Sequence, residues 1–154
     1  MKKEFLSRCG TDTKALAETF GARLSGKTRI ALTGELGAGK TTFVQGLAKG
    51  LDVPESYYIT SPTYNIISEY PGRIPLYHAD LYRITDGEEL ELTGFFEYAE
   101  EKAVLAVEWP ELVDAGAILF DCRVHLALAD NGQRLISFFA SGRGRYNLLE
   151  NLLL

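Results

Sequence analysis

Cysteine is scarce in this sequence and is not arranged for metal binding or cross-linking. Its two cysteines, Cys9 and Cys122, lie far apart, and neither belongs to a Cys-x-x-Cys pair or to a Cys/His cluster. This spacing predicts neither a zinc site nor a disulfide framework. We therefore interpret both residues as reduced thiols without a special role.

Long apolar segments are lacking as well. The longest apolar runs, such as the one that ends at Val107, are far shorter than the roughly 20 residues that a membrane-spanning helix needs. Lys2 and Lys3 follow the initial Met1, but no apolar signal-peptide core comes after them. We therefore expect a cytoplasmic protein with no membrane association.

Positive charge is in deficit, and this deficit bears on nucleic-acid binding. The chain has 16 Lys and Arg residues against 21 Asp and Glu residues, for a formal net charge of −5. A domain that holds RNA by itself usually carries a basic face. We therefore expect no strong direct nucleic-acid binding, whereas contact with RNA through a partner is compatible with the charge.

The chain does have an ordinary globular composition. Hydrophobic residues make up 46% and charged residues 24% of its 154 residues, which suffices for one domain with a buried core. The sequence contains no internal repeat, low-complexity tract or obvious linker. We expect residues 1–154 to form a single domain.

Helix and strand patterns alternate in the first third of the chain. Apolar residues at helical spacing predict a helix from about Thr11 to Gly26, after capping side chains. A β-branched apolar run over 28–33 predicts a buried strand, and residues 41–49 predict a second helix with Gly50 as its stop.

Hairpin signals dominate the remainder. Strands are predicted at 64–70 and 74–79 around a Pro-Gly-Arg turn, and at 122–129 and 134–140 around an Asn-Gly turn. Between the hairpins we expect an acidic helical segment over 86–101, broken near Gly94, and a buried strand over 102–108. A short amphipathic helix is predicted over 145–154. These elements predict an α/β fold with a mixed, mainly parallel sheet flanked by helices and with antiparallel hairpins at its edges.

A phosphate-binding motif follows the first predicted strand. The segment GELGAGKT, from Gly34 to Thr41, satisfies G-x-x-x-x-G-K-[ST] in full. Glycines let the backbone approach phosphates closely, and the next helix turns its positive N-terminal end toward them. Lys40 would lie between the β- and γ-phosphates, the Thr41 hydroxyl would bind Mg²⁺, and Thr42 would meet the α-phosphate. The sequence therefore predicts a P-loop NTPase-like domain that uses ATP and Mg²⁺, with nucleotide contacts from Glu35, Leu36, Gly37, Ala38, Gly39, Lys40, Thr41 and Thr42.

Two acids are candidates for completing the magnesium site. Glu108 directly follows the predicted strand that ends at Val107, and Asp80 follows another strand end. Either could ligate Mg²⁺, directly or through water, and either could orient the attacking water. The sequence does not distinguish them, so Lys40, Asp80 and Glu108 form the predicted catalytic set. We interpret His78 as a hydrogen-bonding neighbour of Asp80 rather than as a metal ligand.

A possible switch segment lies between the P-loop helix and the first hairpin. Thr63, in the sequence Ser-Pro-Thr-Tyr, could sense the γ-phosphate or bind the metal. A Ser-Pro turn that caps a strand explains the same residues equally well. Trp109, beside Glu108, is more typical of packing than of chemistry.

Four sequence blocks in a fixed order give the chain a family resemblance. They are GELGAGKTT at 34–42, SPTY at 61–64, HADLYR at 78–83 and VEWP at 107–110. In these blocks the chain resembles the TsaE family, also called YjeE-type ATPases. The resemblance implies a bacterial ATPase that supports N6-threonylcarbamoyladenosine formation beside the anticodon of tRNA. It also implies two partners, TsaB and TsaD, of which TsaD holds the tRNA and transfers the carbamoyl group.

The resemblance further implies roles for individual residues. Mg²⁺ would be held by Thr41 and by one of the two acids, Asp80 or Glu108, and the γ-phosphate would be sensed near Thr63. The adenine would lie between the start of the first helix, near Thr11, and the C-terminal hairpin, near Arg134.

Rival functions are less compatible with the sequence. A GTPase needs an N-K-x-D element and an ABC-type ATPase an L-S-G-G-Q-like signature, and the chain has neither. A small-molecule kinase needs a lid with several arginines, whereas Arg143 and Arg145 are the only close pair. A nucleotide-dependent binding module, in which hydrolysis only releases the partner, is the alternative from another class. Stimulation of turnover by the partner would discriminate between the two, and we expect slow turnover by the chain alone.

Overall fold

One mixed β-sheet organises the chain. The structure, a computed structural model, describes residues 1–62, 64–113, 116–140 and 143–150. In chain order the strands are β1 (Lys2–Ser7), β2 (Thr28–Thr33), β3 (Ile67–Tyr70), β4 (Leu76–Asp80), β5 (Val104–Glu108), β6 (Cys122–Leu128) and β7 (Arg134–Phe139). The helices are α1 (Gly10–Ala22), α2 (Lys40–Gly50), α3 (Gly87–Leu92), α4 (Phe95–Glu100) and α5 (Arg143–Glu150), with a 3₁₀ turn at Pro110–Leu112.

The sheet is parallel at its centre and antiparallel at both edges. Its strand order is β1-β7-β6-β2-β5-β4-β3. Strands β6, β2, β5 and β4 run parallel, while β1, β7 and β3 pair antiparallel with their neighbours. This confirms the predicted α/β fold class. Because β2, β4 and β5 are parallel, their carboxyl ends meet at one edge of the sheet, where the P-loop begins.

The first strand is an element that the sequence patterns do not reveal. Strand β1 pairs with β7 in a register that joins Lys2 to Phe139 and Ser7 to Arg134. It begins Lys-Lys-Glu, and such charged residues suit an exposed sheet edge, where they discourage further pairing. Its pairing partner lies more than a hundred residues away, so no local pattern could indicate it.

Helices α1 and α2 pack unusually closely on one face of the sheet. A side chain at Gly46 would place its Cβ 2.3 Å from the Lys14 carbonyl oxygen, and one at Gly50 would lie 2.3 Å from the Glu18 carbonyl oxygen. Gly50 is the last residue of α2 rather than a stop beyond it. Its close approach to α1 explains why glycine is present at this position.

Two apolar clusters cover the two faces of the sheet. One cluster joins α1 and α2 to the sheet and contains Phe20, Phe43 and Phe138. The other cluster includes Phe95 of α4 and Leu90 of α3. The break between these two short helices lies at Gly94, as predicted. Within the described part of the chain, no helix is long and apolar enough to cross a membrane.

Candidate nucleotide-binding site

The predicted P-loop connects β2 to α2 at the carboxyl edge of the sheet. Gly34, Gly37 and Gly39 have φ angles of +145°, +80° and +104°. A Cβ at Gly34 would also lie 2.5 Å from the Leu126 carbonyl oxygen. Both the backbone conformation and this close approach therefore call for glycine, and such a loop before a helix N-terminus is suited to binding anions.

Lys40 lies over the loop and beside an aromatic ring. Its Nζ donates hydrogen bonds to the carbonyl oxygens of Gly34, at 2.6 Å, and Glu35, at 3.0 Å. The same Nζ lies 4.4 Å from the centroid of the Trp109 ring, within the range of a cation–π contact. Burial lowers the pKa of the Lys40 ammonium, and the nearby carboxylate of Glu108 opposes this shift. Lys40 is therefore a largely buried cation that is held in place by its neighbours.

A hydrogen-bonded network links the start of α2 to strands β4 and β5. The Thr41 hydroxyl lies 2.7 Å from the Ser61 hydroxyl and donates to Glu108 Oε1 at 3.3 Å. The same Oε1 lies 2.9 Å from Nε2 of His78. Glu108 is only 3% exposed and His78 is fully buried. These hydrogen bonds thus join Thr41 of the P-loop motif to a buried carboxylate.

Asp80 lies beside Glu108 but in different surroundings. The two residues are register partners on β4 and β5. Asp80 Oδ1 accepts a hydrogen bond from the Tyr82 amide at 3.0 Å. Burial raises the pKa of the Asp80 carboxyl, the Tyr82 hydrogen bond lowers it, and the charge of Glu108 raises it further. Both predicted acids therefore reach the site, with different partners.

These groups surround a cleft of about 350 Å³. Its lining residues are Leu36, Gly37, Gly39, Lys40, Thr41, Thr42, Ser61, Asp80, Tyr82, Glu108, Trp109 and Arg134. Larger clefts of about 520 Å³ and 710 Å³ lie elsewhere and contain none of the P-loop residues. Chemistry, rather than size, identifies the P-loop cleft as the candidate site.

Of the two residues predicted to flank the adenine, Arg134 lies at the P-loop cleft and Thr11 does not. Arg134 of β7 donates from Nε to the Ala38 carbonyl and from a terminal nitrogen to the Gly37 carbonyl, both at 3.2 Å. Thr11 is exposed on α1 and does not line the cleft. Contact of either residue with a base stays a prediction. Thr63, the predicted γ-phosphate sensor, lies outside the described residues.

Several site features differ from the sequence-based expectation or were missed by it. The interpretation of His78 as a hydrogen-bonding neighbour of Asp80 is wrong, because its hydrogen bond goes to Glu108. Ser61 was not singled out, although it belongs to the same block as Thr63 and contacts Thr41. Trp109 is more than packing, since its ring lies beside the Lys40 ammonium.

The donor set is compatible with a hard divalent cation that also binds a nucleotide. Among the described residues, no group of three or more His, Cys, Asp or Glu side chains could hold a metal by itself. The Thr41 hydroxyl nevertheless lies within hydrogen-bond distance of the Glu108 carboxylate. Oxygen ligands of these two kinds suit Mg²⁺, which in phosphate-binding sites takes its remaining ligands from phosphates and water.

The fold and the site define the class of protein. A buried parallel strand leads through a glycine loop to a helix that begins Lys-Thr, and an acid ends the neighbouring strand, which is the arrangement of a P-loop nucleotide-binding protein. The chain belongs to the TsaE family. The family model described as "Threonylcarbamoyl adenosine biosynthesis protein TsaE" matches residues 8–136.

Relatives and a solved structure agree with this assignment. The chain is 39% identical over 139 residues to the tRNA threonylcarbamoyladenosine biosynthesis protein TsaE of Bacillus subtilis (strain 168), covering 90% of this chain and 85% of the relative. It is 43% identical over 126 residues to the protein of the same name from Nostoc sp., covering 79% and 76%. The crystal structure of YdiB, named as a Bacillus subtilis protein, superposes with a TM-score of 0.79 at 33% identity, covering 99% of this chain and 94% of that chain.

Proposed function

We propose that this protein is a Mg²⁺-dependent ATPase that supports N6-threonylcarbamoyladenosine formation on tRNA, acting in the cytoplasm with the TsaB–TsaD pair. The observation that carries the proposal is the convergence of Lys40, Thr41 and Glu108 at the start of α2. Membership of the TsaE family supports the pathway. The two partners and the hydrolysis of ATP come from the family resemblance, and tRNA contact is proposed to be indirect.

The P-loop supplies the binding of the phosphates in this proposal. Its glycines at 37 and 39 line the cleft, and α2 begins directly behind them. Backbone amides and the helix N-terminus favour a polyanion there. Lys40 adds a full positive charge. We propose that its ammonium group leaves the two carbonyl oxygens and contacts the β- and γ-phosphates when nucleotide binds.

Thr41 and Glu108 are the residues that we propose hold Mg²⁺. When bound, the ion would neutralise charge on the phosphates and polarise them. If the Thr41 proton is donated to Glu108 Oε1, an oxygen lone pair of the hydroxyl is left for a cation. Glu108 would then hold the cation directly or through water. Ser61, in contact with the Thr41 hydroxyl, orients that hydroxyl.

Asp80 is the residue that we propose orients the attacking water. It lines the same cleft next to Glu108, and its pKa is raised by burial. A carboxylate with a raised pKa is a better proton acceptor than an exposed one at neutral pH. Its hydrogen bond from the Tyr82 amide holds one carboxylate oxygen, so the other is available to a water molecule.

We propose that the chain alone turns over slowly. Among the described residues that line the cleft, the one arginine is Arg134, and it donates to P-loop carbonyls rather than projecting toward a transferred phosphate. In related phosphoryl-transfer systems an arginine finger is worth roughly 10³- to 10⁵-fold in rate. Partner binding is therefore the step at which turnover would rise.

Steady-state ATP hydrolysis with Mg²⁺, with and without the TsaB–TsaD pair, tests this proposal. We expect slow turnover alone and stimulation by the pair, lost in Lys40→Ala and in Glu108→Ala. Lys49→Ala is a matched control, because Lys49 lies on the same helix but at the surface, paired with Glu18 at 3.5 Å. Absence of stimulation, combined with phosphate transfer to an added small molecule, would instead indicate a kinase.

A further inference from the structure

The buried imidazole of His78 has no role in the proposed function, although it touches the centre of the site. His78 lies on β4, two residues before Asp80, and is 0% exposed. Its register partner on β5 is Ala106, and Glu108 follows two residues later on the same face of the sheet. Because the side chain of Ala106 is small, the imidazole can reach diagonally across it to the Glu108 carboxylate.

The contact between the two side chains is a close hydrogen bond in a dry environment. His78 Nε2 lies 2.9 Å from Glu108 Oε1, and the exposed fractions of the two side chains are 0% and 4%. The neighbouring residues on this face, Leu76 and Val104, are fully buried and apolar. A carboxylate in such a place is costly unless its oxygens accept hydrogen bonds. His78 and Thr41 together donate to Oε1.

The direction of the hydrogen bond follows from the chemistry of its two atoms. A carboxylate oxygen only accepts, so Nε2 must carry the proton in this contact. The other ring nitrogen, Nδ1, is buried without a hydrogen-bond partner among the described residues. A proton on Nδ1 would leave a buried donor unpaired and would place the Nε2 lone pair against Oε1. The geometry therefore selects the Nε2–H tautomer.

We propose that His78 is a positioning residue that fixes the Glu108 carboxylate toward Thr41. A glutamate side chain has three rotatable bonds, and Thr41 alone constrains one oxygen through a 3.3 Å contact. The shorter bond from the rigid imidazole gives the same oxygen a second anchor, on the β4 side. Second-sphere hydrogen bonds of this kind typically change metal affinity or activity by about 10- to 100-fold when removed. This inference rests on the proposed function, in which Glu108 and Thr41 hold Mg²⁺.

The tautomer can be tested without any nucleotide. The chain has two histidines, His78 and His125, so ¹⁵N-histidine labelling yields two imidazole patterns, and a His125→Gln variant assigns them. We expect His78 to show the Nε2–H pattern and to change in a Glu108→Leu variant. An Nδ1–H pattern for His78 would overturn the proposal, regardless of how any variant folds.

The positioning role can be tested by the effect of Mg²⁺ on ADP binding, measured by calorimetry. In the wild type we expect Mg²⁺ to tighten binding. In His78→Leu we expect the ratio of the ADP affinities with and without Mg²⁺ to fall by about 10-fold or more. The ADP affinity in EDTA should be nearly unchanged. In His78→Gln, whose side-chain amide can donate where Nε2 does, most of the effect should return. Thermal melts of both variants show whether they are folded.

The outcomes separate this inference from the proposed function. If His78→Leu keeps the full Mg²⁺ effect, or if folded His78→Gln loses as much as His78→Leu, the positioning role is wrong. If the wild type binds ADP but the TsaB–TsaD pair does not stimulate its ATP hydrolysis, the proposed function fails while the positioning role stands. A wild type that binds no nucleotide overturns both the proposed function and the Mg²⁺ role of His78.

Discussion

Asp80 and Glu108 are direct register partners at the carboxyl ends of two neighbouring parallel strands. Their side chains nevertheless have different partners. Glu108 Oε1 accepts a hydrogen bond from the Thr41 hydroxyl at 3.3 Å, whereas Asp80 Oδ1 accepts one from the Tyr82 amide at 3.0 Å. One carboxylate of the pair is thus hydrogen-bonded to the P-loop helix, and the other is hydrogen-bonded to the segment that follows β4.

This difference predicts that the two acids fail in different ways. Glu108→Gln should raise the Mg²⁺ concentration for half-maximal ATP hydrolysis by about 10-fold or more, because the charge beside Thr41 is lost. Asp80→Asn should instead lower the maximal rate, by roughly 10²-fold if it removes a catalytic base. Magnesium titrations at saturating ATP, with the TsaB–TsaD pair present, separate the two effects. The reverse pattern would exchange the roles proposed for these residues.

The close packing of α1 on α2 predicts a large stability effect from a single methyl group. At Gly46 an added Cβ would lie 2.3 Å from the Lys14 carbonyl oxygen and 2.8 Å from Ala17 Cβ. Gly46→Ala should therefore lower the free energy of unfolding by about 1–3 kcal/mol, the usual cost of overpacking. Gly26→Ala is the control, because a Cβ there meets nothing within 4 Å. Equal denaturant midpoints for the two variants would contradict this account of the helix contact.

What could be predicted from the sequence depended on how local each signal is. The P-loop, β2 and α2 are specified by neighbouring residues, and so are the turns of the two hairpins. Strand β1 is different, because its partner β7 lies at the other end of the chain. The same limit explains His78. Its hydrogen bond to Glu108 requires β4 to lie beside β5 in one particular register, and strand neighbours are not a local property.

Helix packing shows the same limit. The sequence indicates correctly that a helix ends at about Gly50, but the chemical reason for glycine there is its approach to Glu18 of α1. A glycine near a helix end has two explanations, a cap and a close contact, and local pattern favours the cap. Only the tertiary arrangement distinguishes the two.

The phenol of Tyr77 predicts a pH-dependent contribution to stability. Its hydroxyl donates to Glu101 Oε2 at 2.5 Å, and this hydrogen bond raises the pKa of Tyr77 to about 12. The neutral phenol is favoured in the folded state. Its contribution is therefore fully present below the unfolded-state pKa of about 10 and is lost as the pH rises through the folded-state value.

Comparison with Tyr77→Phe measures that contribution. At pH 8 the variant should be less stable than the wild type by about 1 kcal/mol, a typical value for one hydrogen bond, and the difference should shrink above pH 10. Tyr58→Phe is the control, because Tyr58 is 85% exposed. A difference that stays constant up to pH 12 would show that the hydroxyl contributes through packing rather than through the hydrogen bond.

Arg134 allows a test of whether the C-terminal hairpin supports the P-loop or contacts the base. Its guanidinium donates to the carbonyls of both Gly37 and Ala38, so Arg134→Ala should loosen the loop and weaken ADP binding by about 10-fold, the value of roughly one charged hydrogen bond. Arg134→Lys should recover little, because an ammonium cannot reproduce the planar fork. If support of the loop is the cause, ADP and GDP lose affinity equally, since the loop binds phosphates. If Arg134 instead contacts the adenine, as the family resemblance implies, the variant should lose its preference for ADP over GDP.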